Sequence, residues 1–289
     1  MNRLHPVTVF LYFMLVIVIT AFTMHPVILC ISMFGVLVFT IVREEQLSLK
    51  KIGGYLLAFF VLSLINPLFY HNGSTILFFI NGKAITLEAL IYGMVSAGIL
   101  LSVLLWCQKL NAYMTADKTM FLIGKLSKKG ALIISMVFRL MPQYHAHAKE
   151  IKQTQKTMGL FKKESLLEKL MAYLHIFSSM VTWSLEHSVD TADSMRARGY
   201  GLNKRTSYAS YPFKVTDAIC IIVMFLMSGI VLLGAVTGQL GVSYYPVFMV
   251  EKSTRFTNLL YISYGALVLM MPLYEGKENI KWNYLKWKN

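Results

Sequence analysis

The chain has 289 residues, of which 56% are hydrophobic and 15% are charged, and its formal net charge at pH 7 is +14. A soluble domain is on average about 45–50% apolar and about 25% charged, so this composition is typical of a membrane protein. The positive charge is compatible with nucleic acid, anionic lipid or an acidic protein as a partner, and the positions of the charges decide among them. Three cysteines lie inside apolar stretches without metal-ligand or redox spacing and are interpreted as packed hydrophobic residues: Cys30, Cys107 and Cys220.

Six apolar windows predict membrane-spanning helices. Several are close to the lower limit of about 17 residues for a span, and only Met24-His25-Pro26 separates the first two. Three interpretations of these segments therefore remain open: a tight hairpin, short spans, or partly buried helices. The first window has no small-residue cleavage site, so we expect that it is not a signal peptide. The windows are Val7–Thr23, Val27–Val42, Tyr55–Phe69, Leu87–Trp106, Ala218–Val236 and Leu259–Leu273.

The distribution of basic residues predicts the orientation of these windows. If they cross the membrane alternately from a cytoplasmic N-terminus, only Lys83, Lys252 and Arg255 of the 28 Lys and Arg face the other side. Basic residues favour the cytoplasmic side, so we expect a multi-pass protein of the cell membrane with both termini in the cytoplasm. The long block from Lys109 to Lys214 counts for less because long loops translocate with less regard to charge, but the short segments favour the same orientation.

A long polar region lies between Trp106 and Ala218 and is expected to be helical, since it contains few Gly or Pro residues. Its first helix contains the apolar run Ala131–Leu140, and Pro142 is expected to kink or restart it. A strongly polar stretch then leads to Gly159.

A second helix of this region is predicted to start at Ser165, where Glu168 follows at the spacing of a capping box. It is predicted to run to Arg198, after which Gly199 supplies a left-handed cap. Apolar residues recur along it at three- and four-residue steps, which indicates an amphipathic helix. They are Leu166, Leu167, Leu170, Met171, Leu174, Phe177, Val181, Leu185 and Val189.

Both predicted helices end with cations followed by glycine, in the segments 156–159 and 196–199. Cations at a helix C-terminus complement the helix dipole by about 0.3–1 kcal/mol, so a purely structural interpretation is open. The alternative is that an exposed Arg-Gly tip fits a groove on an acidic partner, because arginine presents a planar fork of donors to carboxylates.

Several stretches of the sequence resemble a known family. They are Leu4-His5-Pro6; Asn66-Pro67-Leu68-Phe69; Ile85-Thr86-Leu87-Glu88-Ala89-Leu90 followed by Tyr92-Gly93; Phe138-Arg139-Leu140-Met141-Pro142; and Ser194-Met195-Arg196-Ala197-Arg198-Gly199-Tyr200-Gly201. In this order they resemble the transmembrane T component of energy-coupling factor (ECF) transporters, the family that includes CbiQ-like cobalt-transporter subunits. The last stretch is the most specific, because it contains the family's Ala-Arg-Gly motif at the end of a coupling helix.

The resemblance implies that the tips of two cytoplasmic coupling helices dock into grooves on two ABC-type ATPase subunits. The second tip comprises Arg196, Ala197, Arg198 and Gly199, and the first comprises Lys156, Thr157, Met158 and Gly159. Met158 occupies the arginine position of the first tip, which departs from the family pattern. Asymmetric docking is therefore expected, with the stronger electrostatic contact at Arg198.

The resemblance also implies a small membrane-embedded S component that binds the substrate, a vitamin or a metal ion. The apolar face of the second helix is expected to contact that S component or to pack against the other coupling helix. The residues concerned are Leu170, Met171, Leu174, Phe177, Met180 and Val181. Methionine suits a contact that must re-pack, because its side chain adapts to irregular surfaces.

The motif search argues against catalysis by this chain. No G-x-x-x-x-G-K-[ST] phosphate loop occurs, so ATP hydrolysis is expected on separate chains, and no cofactor, metal site or nucleic-acid partner is expected. Glu88, Asp217, His25 and His71 do not form the convergent set that an intramembrane enzyme requires, and His145 and His147 do not share a helix face. A self-contained carrier or channel remains an alternative, although no inverted repeat is evident.

The expected fold is therefore all-α: a polytopic helical membrane protein with about six spans. A cytoplasmic helical coupling domain is inserted before the last two spans. We expect N-terminal transmembrane helices in residues 1–125, coupling helices in 126–213, and C-terminal transmembrane helices with a cytoplasmic tail in 214–289.

Overall fold

The computed structural model describes residues 4–42, 49–69, 73–80, 83–159, 166–200, 211–245, 249–250 and 255–288. The chain divides into two compact units. The first comprises Met1–Thr115 with Tyr211–Asn289, and the second comprises Ala116–Ser210.

The described residues are mainly helical. The helices are α1 (Pro6–Phe22), α2 (Pro26–Val42), α3 (Leu49–Phe69), α4 (Leu87–Tyr113), α5 (Ala116–Leu126), α6 (Lys128–Thr157), α7 (Leu166–Ala197), α8 (Val215–Val236) and α9 (Arg255–Lys288). Two small antiparallel pairs accompany them: β1 (Ile76–Ile80) with β2 (Lys83–Thr86), and β3 (Val242–Ser243) with β4 (Met249–Val250). The all-α prediction holds for the architecture, and these two short strand pairs add to it.

Three described helices are long and apolar enough to cross a membrane: Leu87–Tyr113, Val215–Val236 and Arg255–Lys277. Three further apolar helices are shorter: Pro6–Phe22, Pro26–Val42 and Ile52–Pro67. The structure thus contains an apolar helix at each of the six predicted windows, and length and composition qualify three of them as spans.

Large apolar side chains on these helices face outward. On α3, Leu57 is 67% exposed and Phe60 is 65% exposed, and on α8 Leu226 is 63% exposed. A water-soluble protein rarely leaves so many large apolar side chains uncovered, whereas hydrocarbon is a favourable environment for them.

Buried aromatic rings form the core of the first unit. Trp106 of α4 lies edge-to-face against Tyr12 and Phe13 of α1 and against Phe39 of α2, with ring centroids about 6 Å apart. Tyr113 of α4, about two turns further on, lies edge-to-face against Phe39 and at a tilt of 31° to the ring of Phe13. These contacts join α1, α2 and α4 into one packed body.

A buried hydrogen-bonded cluster crosses the same core. Ser32 of α2 accepts from the indole N–H of Trp106 at 2.9 Å and lies 2.8 Å from the hydroxyl of Ser102 on α4. Thr20 of α1 lies 3.3 Å from Ser32 and 2.7 Å from the hydroxyl of Tyr264 on α9. Side chains from four helices therefore satisfy one another where water is excluded.

Small residues of α4 allow two other helices to approach closely. A Cβ added at Gly93 would lie 2.5 Å from the backbone oxygen of Ser63 on α3, and one added at Gly98 would lie 2.7 Å from Leu29 on α2. Glycine at these two positions therefore permits close helix packing.

At each end of the first unit, a different set of polar contacts holds the helices together. At one end the hydroxyl of Tyr244 donates to the carbonyl of Met24, and His25 lies 3.1 Å from the hydroxyl of Tyr261. At the other end the backbone N–H of His5 donates to Asp217, and the hydroxyl of Tyr113 donates to Glu275. The beginnings of α1 and α8 thus lie at the same end as the end of α4.

The second unit contains α5, α6 and α7, with α6 and α7 antiparallel. Of the two alternatives predicted at Pro142, a kink or a restart of the helix, the restart is wrong, because α6 continues through this residue as one helix. Proline at position 142 removes only one backbone hydrogen bond, the one to the carbonyl of Phe138. Both residues are exposed, so water can donate a hydrogen bond to that carbonyl instead. The predicted cap at Ser165 lies outside the described residues, and α7 is described from Leu166.

Candidate functional site: the helix ends and cleft of the second unit

The C-terminal end of α7 has the geometry that the Arg-Gly motif predicts. Gly199 has φ +72°, its N–H donates to the carbonyl of Arg196 at 2.9 Å, and the N–H of Tyr200 donates to the carbonyl of Met195 at 3.1 Å. This pair of bonds is a Schellman motif, which satisfies the last helical carbonyls and ends the helix abruptly. A side chain at Gly199 would be strained, since L-residues rarely adopt this φ.

Two arginines project from this end. Arg196 lies 3.9 Å from Asp193 in an exposed pair, an arrangement that contributes little to stability. Arg198 is exposed and makes no ion pair with any residue that the structure describes. A guanidinium group that is free of an internal partner can bind an external carboxylate without first losing an existing contact.

The end of α6 has a similar backbone but a different side chain. Gly159 has φ +91°, and its N–H donates to the carbonyl of Lys156 at 3.1 Å. Lys156, Thr157 and Met158 are exposed, and Met158 is 76% exposed. The two helix ends therefore share a glycine cap but differ in charge at the residue before it.

Aromatic and polar contacts hold α6 and α7 together near their middle. The hydroxyls of Tyr144 and Ser184 lie 2.7 Å apart, and the Tyr144 ring meets Trp183 edge-to-face at 5.2 Å. His147 of α6 and His187 of α7 stack on the Trp183 ring, at centroid distances of 4.3 and 5.1 Å. These contacts fix the register of the two helices.

A cleft of about 340 Å³ lies between the first half of α6 and the last turns of α7. It contains one cation from each helix, Arg139 of α6 and Arg198 of α7, together with the carboxylate of Asp190. Its lining also includes Leu132, Ser135, Met136, Leu140, Gln143, His187, Thr191, Ser194, Met195 and Tyr200. This cleft was not predicted from the sequence, because the antiparallel register that brings Arg139 towards the end of α7 depends on contacts between the two helices.

The apolar face of α7 is largely uncovered. Leu170, Met171 and Leu174 are 58–59% exposed, Phe177 is 66% exposed and Val181 is 42% exposed. Met180 is half-buried, whereas the buried residues of this helix are Ala172 and Ile176. The predicted stripe thus forms an exposed surface of the second unit.

Two carboxylates of the first unit that were candidates for catalysis are held in structural contacts, and the further candidate His71 lies outside the described residues. Asp217 is fully buried and accepts hydrogen bonds from His5 and Thr8, while Glu88 accepts from Ser74 and Thr75. Among the described residues there is also no group of three His, Cys, Asp or Glu that could hold a metal ion. These carboxylates tie the segments before α1 and α4 to neighbouring elements.

The apolar helices, with their outward-facing large side chains, define an α-helical membrane protein. No family model matches the chain. Over 106 residues it is 31% identical to the energy-coupling factor transporter transmembrane protein EcfT 1 of Listeria monocytogenes serotype 1/2a (strain 08-5578). The aligned region covers 36% of this chain and spans 40% of the length of that relative, so the likeness is to part of a transporter membrane protein.

Proposed function

We propose that this chain is the transmembrane coupling subunit, the T component, of an ECF-type ABC importer. It is non-catalytic and lies in the cell membrane with six spans and both termini in the cytoplasm. It transmits ATP-driven motion of two ATPase subunits to a substrate-binding S component for uptake of a vitamin or metal ion. The partial likeness to a protein named as an energy-coupling factor transporter transmembrane protein supports this proposal.

The observation that carries the proposal is the exposed arginine at a sharply ended helix. Arg198 precedes a glycine with φ +72° and has no ion pair among the described residues. A carboxylate in a groove of an ATPase subunit would accept hydrogen bonds from the guanidinium group of Arg198. Docking is asymmetric, because the corresponding residue of the other helix end is the uncharged Met158.

The S component contacts the exposed apolar face of α7. Five large side chains of this face are more than 40% uncovered, which is unfavourable in water and favourable against an apolar partner: Leu170, Met171, Leu174, Phe177 and Val181. Met171 and Met180 adapt this face to a partner that slides or tilts during transport. If the face met only lipid, replacing Phe177 with Ser would leave the S component bound.

The proposal is tested by isolating the full chain in mild detergent with the proteins bound to it. The preparation is expected to contain ATPase chains and to hydrolyse ATP. Arg198→Glu is expected to reduce the amount of bound ATPase about 30-fold or more, because losing one partner of a desolvated charge pair costs about 2–5 kcal/mol. Lys149→Glu is the matched control, since Lys149 is an exposed cation on α6 outside the cleft.

Two rival functions predict different results in this preparation. A self-contained carrier or channel would move its substrate after reconstitution of this chain alone, without bound ATPase. An intramembrane enzyme would turn over its substrate in a preparation of this chain alone, without bound ATPase. ATP hydrolysis that disappears with Arg198→Glu and survives Lys149→Glu is expected only of the coupling subunit.

A further inference from the structure

Arg198 at the end of α7 is not an isolated cation, because it lines the cleft between α6 and α7. Arg139 and Arg198 line the same cleft although 59 positions separate them in the chain. Neither has an ion pair with any residue that the structure describes, and both are exposed to an incoming group. Two guanidinium groups on different helices therefore face one space that an anionic group can enter.

Contacts between α6 and α7 lie beside one end of the cleft. Tyr144 and Ser184, whose hydroxyls lie 2.7 Å apart, are about 7.5 Å along α6 from Arg139 and about 21 Å along α7 from Arg198. The stack of His147, Trp183 and His187 adds a second contact at the same crossing. The cleft is thus bounded at one end by a fixed crossing, and the two exposed arginine side chains become ordered when an anion binds between them.

The charge of the lining selects the kind of anion. Asp190 offsets one of the two arginines, so the three groups together carry a single positive charge. That single charge is balanced by one carboxylate, whereas a phosphate monoester, which carries up to two negative charges, would leave an excess of negative charge.

The apolar part of the lining points to a protein side chain as the source of that carboxylate. Leu132, Met136, Leu140 and Met195 surround the polar groups, and they suit the methylene stem and flanking residues of an aspartate or glutamate on a folded partner. Ser135, Gln143 and Ser194 add neutral hydrogen-bonding groups around it.

We infer that one acidic side chain of an ATPase subunit enters this cleft and is held by Arg139 and Arg198 together. The inference rests on the proposed function and extends it, because it makes Arg139 a binding residue and spreads the docking contact over both helices. A partner that moves this side chain pushes on α6 and α7 at once, so both helices transmit the movement.

The test uses the full chain isolated with its bound ATPase chains. Arg139→Gln and Arg198→Gln are each expected to reduce bound ATPase about tenfold or more, while Lys149→Gln on α6 leaves it unchanged. If both arginines hold the same carboxylate, the double variant loses less than the product of the two single losses. Arg139→Lys is expected to restore part of the binding, since it keeps the charge without the planar fork.

The outcomes separate this inference from the proposed function. Loss of ATPase with Arg198→Gln but wild-type retention with Arg139→Gln overturns the shared site and leaves docking at Arg198 intact. Wild-type retention with both variants overturns both. Arg139 is exposed, so its variants are expected to elute as the wild-type chain does in size-exclusion chromatography.

A photoreactive residue in place of Ser135 identifies the occupant directly. A cross-link to an Asp- or Glu-containing segment of the ATPase supports the inference. A cross-link only to phospholipid, together with weaker binding of Arg139→Gln to vesicles containing phosphatidylglycerol, assigns the cleft to a lipid headgroup and overturns it.

Discussion

The backbone N–H of His5 donates a hydrogen bond of 2.9 Å to Oδ1 of Asp217, although 212 residues separate the two. The same oxygen accepts from the hydroxyl of Thr8 at 3.3 Å, and Oδ2 accepts from the N–H of Lys214 at 3.1 Å. Asp217 is fully buried, so it joins the first turn of α1 to the first turn of α8 where water cannot replace it. One carboxylate thereby connects the two chain segments of the first unit.

Replacing Asp217 with Ala is expected to destabilise the protein. The change leaves the buried N–H of His5 without an acceptor and removes the bond from the N–H of Lys214, at a cost of about 2–4 kcal/mol. The thermal unfolding midpoint in detergent should fall by roughly 5–10 °C. Asp193→Ala is the control, because that carboxylate is 70% exposed, and a midpoint shift equal in both variants would contradict the structural role of Asp217.

Acidification is expected to destabilise the connection between α1 and α2 through His25. This residue is 1% exposed, its Nδ1 accepts from the N–H of Val27 at 3.2 Å, and its Nε2 lies 3.1 Å from the hydroxyl of Tyr261. Burial lowers the pKa of His25 below its usual value of 6.5, because the charged imidazolium is poorly solvated there. Protonation would also remove the Nδ1 acceptor that caps α2.

The sign of the effect follows from proton uptake. Below pH 6.5 the unfolded chain binds a proton at His25 more readily than the folded chain does, so the free energy of unfolding falls as the pH falls. We expect the thermal midpoint to drop between pH 7 and pH 5, and to drop less in His25→Asn, which can still cap the helix. His175→Asn, at an exposed position of α7, should follow the wild-type pH dependence; equal slopes in all three proteins would refute the assignment.

Replacing Gly199 with Ala is expected to weaken ATPase binding without changing the charge of the protein. The φ of +72° is unfavourable for alanine by about 1–2 kcal/mol, so the end of α7 would rearrange and Arg198 would move. Bound ATPase should fall several-fold, and Gly199→Asn should fall less because asparagine tolerates this conformation.

Gly229→Ala is the matched control for this substitution. Gly229 lies inside α8, and a Cβ there meets nothing within 4 Å. If Gly199→Ala retained the wild-type amount of ATPase, the backbone of this helix end would not matter for docking.

Replacing Met158 with Arg is expected to be tolerated or to strengthen ATPase binding. Met158 is 76% exposed at a glycine-capped helix end, so an arginine there enters solvent without burying a charge. It supplies the first helix end with the cation that the second has at Arg198. The measurement is the amount of ATPase retained in rising salt, and a marked loss relative to Met158→Gln would contradict the proposed equivalence of the two ends.

Features that depend on neighbouring residues could be predicted from the sequence. Gly159 and Gly199 end helices with positive φ, as expected of glycine after a helical run, and each predicted apolar window contains an apolar helix. The number of spans was less certain, because α1 and α2 have 17 residues each and fall near the minimum for crossing hydrocarbon. The strand pair β1–β2 was not predicted, because pairing with a partner strand decides it. The continuity of α6 through Pro142 was not predicted either, because it depends on the exposure of that part of the helix.

The sequence by itself determined the helical membrane character, the glycine-capped helix ends and the amphipathic face of α7, because backbone sterics and residue periodicity act over a few positions. Only the tertiary structure decided that Asp217 meets His5, and that Arg139 and Arg198 share a cleft. Such pairs lie tens to hundreds of residues apart and depend on which helix faces meet. That choice is made by the packing of the whole unit, which no local pattern encodes.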